Sequence, residues 1–137
     1  MNKLLYLTIG LLLGVNLNSK AQNVTQSKIE LNKVLCKNWK ADYAIMGGMR
    51  INQLPNNIAF EFEFNPDNSY TVIKDKTKQK GKWTFNENKK YIDLSVNNKT
   101  NSRIIKINEN ELILVLVSDE KSNPPGLPNM EVYCKSK

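Results

Sequence analysis

The chain of 137 residues contains no histidine. That excludes an imidazole base, an imidazole metal ligand and a histidine-activated thiol at one stroke. It has two cysteines, Cys36 and Cys134, which are too few for a cysteine metal site and cannot act as a catalytic pair without a base. Arginine is almost missing: only Arg50 and Arg103 stand beside the many lysines, although the formal charge is +7. Phosphate recognition favours the planar fork of arginine, so a nucleic-acid partner is not expected. No long helical period runs through the chain. Acidic side chains that sit in alternating segments (Glu61, Glu63, Asp93) fall on the polar face, so no inward carboxylate pair is available for acid–base work. No catalytic residue, metal or cofactor is expected, and a barrel enzyme would have to use a tyrosine such as Tyr43 or Tyr91.

What the chain has is a rhythm. Trp39–Met46, Ile58–Phe64, Tyr70–Asp75, Lys80–Phe85, Tyr91–Val96, Ser102–Ile107, Glu111–Val117 and Met130–Lys135 are eight short β-type segments separated by turn chemistry. In Ile58–Phe64 the aromatics take one face and the glutamates the other, as in a half-buried antiparallel strand. Glu111–Val117 is apolar on both faces and needs cover on both. The fold expected is all-β: an eight-stranded up-and-down antiparallel barrel.

Ahead of the barrel, Met1–Lys3 is a short basic start. Leu4–Val15 is an apolar stretch shorter than the roughly 20 residues a bilayer span needs, and Ser19-Lys20-Ala21 ends it with small residues. Residues 1–21 thus read as a secretory signal peptide, leaving a chain of charge +5 without Lys3 and Lys20. The mature protein is expected to be soluble, periplasmic or secreted, with no transmembrane segment. Residues 22–37 form an N-terminal segment in which Ser27-Lys28-Ile29-Glu30 is a capping box. It starts a short helix, Ser27–Cys36, whose apolar face is drawn from Ile29, Val34 and Leu35. The barrel then occupies 38–137. An even cysteine count in an exported chain, at positions flanking the first and last strands, points to a Cys36–Cys134 disulfide.

Turns at Asn65–Asn68, Asn86–Asn88 and Asn108–Asn110 are compact. In a meander they fall at one end by parity, leaving 47–57, 76–79, 97–101 and 118–129 at the other as an open mouth. Lys74, Lys76, Lys78, Lys80 and Lys82 recur at every second position near that mouth. They form either a solvated face that guards an edge or a cationic rim.

Several short motifs carry a resemblance: Leu35 with Trp39, Phe60–Phe64, Asp67-Asn68-Ser69-Tyr70, Gly81-Lys82-Trp83 and Leu112–Val117. In these the chain resembles the small lipocalin-like domain proteins exported by Bacteroidetes-type bacteria. It departs from them at Lys37 and Asn68, where that family carries glycine. The resemblance implies a lipocalin-like barrel and a binding role. The ligand expected is small, apolar or amphiphilic, and neutral or anionic. Its wall would come from Trp39, Tyr43, Phe60, Phe62, Trp83, Leu94 and Ile105, with Arg50, Lys76 and Lys78 at the rim. The alternative is a filled core, in which the same aromatics plug the barrel and the protein serves as a structural or protein-interaction module of the cell envelope.

Overall fold

The computed structural model describes residues 24–56, 58–117 and 130–137. The signal peptide expected over 1–21 and the loop 118–129 lie outside the described residues. Among the described residues a single helix, α1 (Lys28–Leu35), precedes nine strands: β1 (Asn38–Met46), β2 (Met49–Ile51), β3 (Glu61–Phe64), β4 (Ser69–Lys74), β5 (Thr77–Asn86), β6 (Tyr91–Val96), β7 (Lys99–Ile107), β8 (Glu111–Leu116) and β9 (Met130–Ser136). Each strand from β3 to β8 pairs antiparallel with the next. β1 closes the ring, bonding β3 through Asn38–Lys40 on one edge and β9 on the other. The result is a closed eight-stranded up-and-down antiparallel barrel with one extra strand, β2.

β2 is a departure from the sequence reading, which left 47–57 as one loop. Gly47 and Gly48 have φ of 57° and 79° and form a two-residue turn, the backbone that a tight hairpin requires and that glycine adopts without strain. Asp75-Lys76 (49° and 66°) and Asn97-Asn98 (53° and 64°) do the same for β4–β5 and β6–β7. All three turns lie at the end expected to form the open mouth, and each is tightly built. The opposite end has the asparagine turns in their expected places. There Asn86 Oδ1 accepts from the N–H of Asn88 and Lys89, and Asn108 Oδ1 from Asn110 and Glu111.

α1 begins at the expected capping box: Ser27 Oγ accepts the Glu30 N–H and the Glu30 carboxylate accepts the Ser27 N–H. Its buried face is Leu31 and Leu35, one turn apart, not Ile29, which is 75% exposed. The helix closes the asparagine-turn end of the barrel. Val24 N–H donates to Lys90 O, Gln26 Nε2 to Ile107 O, and Lys37 Nζ to Glu109 O.

The two cysteines are unpaired. Cys134 lies opposite Ala41 and Leu112 inside the barrel, whereas Cys36 is the helix C-cap, before β1 begins. Desolvation first, then the nearby Asp42 and Glu111 carboxylates, pushes the Cys134 thiol up to about 12, so it is a core side chain and not a nucleophile.

Candidate functional site

The two ends of the barrel are filled differently. At the helix end, Trp39 and Trp83 are fully buried. The Trp39 indole donates to Leu35 O and the Trp83 indole to Asn65 O, both at 3.0 Å. Both tryptophans therefore hold the closed end together instead of lining a lumen. Gly81 belongs to this packing. A Cβ there would come within 2.6 Å of the Tyr70 ring and 2.5 Å of Ser95 O, so the ring fits only because position 81 has no side chain.

Towards the other end the inward positions become shorter or more polar: Val72 and Lys74 on β4, Gln79 on β5, Ser102 on β7. A hollow of 280 Å³ results, walled by Ile58, Phe60, Phe62, Tyr70 and Leu114, with Lys74, Gln79, Asn101 and Ser102 supplying its polar atoms. A further hollow of 320 Å³, also lined by Val72, Lys74 and Gln79, extends it to the Asp75 turn. On one wall, Ser102 Oγ donates to Asn101 Oδ1 at 3.0 Å. The Asn101 side chain in turn shares a hydrogen bond with the Tyr70 hydroxyl. Burial outweighs that bond and pushes the Tyr70 phenol up to about 12, so it stays neutral. Among the described residues Lys74 has no ion-pair partner.

Of the wall residues read from the sequence, Phe60 and Phe62 line the hollow, while Leu94 is buried in the core away from it. Tyr43 and Ile105 are on the outside. Register slips at Asp42 in β1 and at Ile105 in β7 shift the alternation by one residue, a consequence of β-bulges that strict period-two reading cannot anticipate. Tyr43 instead stacks on Tyr133 with centroids 4.5 Å apart, and Arg50 lies 3.8 Å over its outer face. Arg50, which donates to Asn52 Oδ1, is therefore part of an outer aromatic cluster and not of the mouth. That cluster also answers the need of β8 for cover: Ile113, opposite Tyr133, is only 4% exposed although it faces away from the lumen.

Lys76 sits at the tip of the β4–β5 turn, and Lys78 faces outward opposite Ile73. Because the turn has two residues, Lys74 is opposite Thr77. The even-numbered lysines of β4 and β5 consequently fall on opposite faces, and Lys74 lines the hollow while Lys78, Lys80 and Lys82 do not. Tyr70, Val72, Leu114 and Ser102 were not singled out as wall residues. The signal that could have found them is the alternation of β4 and β8 combined with that turn length.

Among the described residues no three acidic or cysteine side chains gather as a metal site would need, and no helix is long and apolar enough to cross a membrane. No protein-family model matches the chain, and neither does any curated protein or solved structure.

Proposed function

We propose that the protein is an exported, lipocalin-like binding protein whose open end takes a small apolar molecule carrying one anionic group. The observation that carries this reading is the hollow beside Lys74, with apolar walls and a cation that has no ion-pair partner among the described residues. Ligand sites combine apolar surface with a few placed polar groups, and this one has both. At 280 Å³ it has room for about nine water-sized groups, so a chain of about eight or nine heavy atoms fits and a long acyl chain would project from the mouth. The signal-peptide layout of the first 21 residues and the lipocalin-like motifs support the same reading. A filled barrel serving as an interaction module draws on the solid packing around Trp39 and Trp83, which accounts for the closed half of the molecule.

The test is titration with a fluorescent fatty acid and displacement by octanoate. Saturable binding is expected. Lys74→Glu should weaken it at least about tenfold, as loss of a charge-assisted contact does, while Lys78→Glu on the outer face should leave it unchanged. Lack of saturable binding would put the interaction module in front.

A further inference from the structure

Lysines guard a sheet edge against pairing, and β5 has such an edge only over 77–81, since it is bonded to β4 over Thr77–Lys82 but to β6 only from Lys82 to Asn86. Yet Lys78, Lys80 and Lys82 all project from its outer face, about 7 Å apart at alternate positions, where like charges repel one another. Their cross-strand neighbours are Ile73, Thr71, Ser69 and Ser95, none of them acidic. The nearest outward carboxylate on β6, Asp93, is taken by Arg103 at 2.8 Å. Elsewhere the pairing is different: Asp42 meets Lys135, and Glu61 meets Lys137.

Another hollow lies beside this row. It measures 350 Å³ and is lined by Lys80, Gly81, Lys82, Ser95, Asn97 and Asn98. Its shape follows from the register slip between Leu94 and Ser95 and from the left-handed Asn97-Asn98 turn beside it. Lys80, Lys82, Asn97 and Asn98 line it with donor-bearing side chains, while Ser95 Oγ already shares a hydrogen bond with Thr100 Oγ1, and this lining suits a compact anion.

We propose that the outer face of β5 is a docking surface for an anionic lipid bilayer, with this hollow receiving a phosphate-bearing headgroup. The face carries neither an arginine fork nor an aromatic platform, which nucleic-acid recognition would use. Flexible lysine point charges suit a plane of separate phosphates. Lys76 carries the row to the open rim. At that rim Met46 and Met49 are 40% and 70% exposed, apolar side chains suited to a headgroup boundary.

The test is co-sedimentation of the full chain with vesicles of phosphatidylcholine alone or mixed with phosphatidylglycerol. Binding is expected only to the mixed vesicles and should fall as salt is raised. Lys80→Gln and Lys82→Gln should each weaken it about fivefold, and Lys89→Gln in the β5–β6 turn should not, with circular dichroism showing all variants folded. Equal binding to neutral vesicles, no binding to anionic ones, or preferential binding of single-stranded RNA would overturn the proposal.

Discussion

The helix end and the hairpin end of this barrel are made from the same eight strands and solve opposite problems. At the helix end both tryptophans are fixed twice, by burial and by a polar bond. Trp39 and Trp83 are buried and donate to main-chain oxygens, α1 covers the opening, and asparagine side chains tie the turns. At the hairpin end the turns at 47–48, 75–76 and 97–98 have two residues each, the inward residues shorten, and Leu116 is left 49% exposed beside a hollow. One end is solidly packed, and the described residues of the other surround a hollow.

Truncation tests that division most strongly. Trp83→Ala or Trp39→Ala should cost about 3–5 kcal/mol by denaturant unfolding, because each removes a buried ring and strands a carbonyl. Leu116→Ala should stay within about 0.5 kcal/mol. Similar losses at both ends would erase the distinction.

Alkaline unfolding should come next. Cys134 and Tyr70 have folded pKa values raised to about 12 from 9.0 and 10.0. The unfolded chain therefore loses its protons first, and stability that is complete below pH 9 falls as pH rises towards 12. By pH 12 the loss should be on the order of a few kcal/mol. Cys134→Ala should flatten the fall more than Tyr70→Phe.

Gly81→Ala forces a Cβ against the Tyr70 ring and the Ser95 carbonyl, where the contact on the Ser95 side is main chain and cannot swing away. A loss of about 1–3 kcal/mol is expected from overpacking, measured by thermal or denaturant unfolding. The smallest effect belongs to the cap. Ser27→Ala should cost about 1 kcal/mol through loss of the bond to the Glu30 N–H, with the barrel intact by near-ultraviolet circular dichroism.

The barrel was legible because period-two patterning and turn residues are local signals. The capping box and the turns near 65–68, 76–79, 86–88, 97–101 and 108–110 needed no tertiary information to find. The wall was harder to read. A bulge moves every later side chain to the other face, so Tyr43 and Ile105 left the lumen at slips that no local composition announces. Lys74 and Lys78 separated for a similar reason, the two-residue turn between them. The cysteines were misjudged because flanking the first and last strands in sequence does not fix depth along them: Cys134 is in register with Ala41, and Cys36 precedes the strand.

The division between a holding end and a binding end is most directly tested by amide chemical shifts during titration with octanoate. Binding at the hairpin end should move the resonances of Phe62, Tyr70, Val72, Ser102 and Leu114 in a saturable way and leave Leu31, Leu35 and Trp83 where they are. Saturable shifts centred on the helix end, or none anywhere, would contradict it.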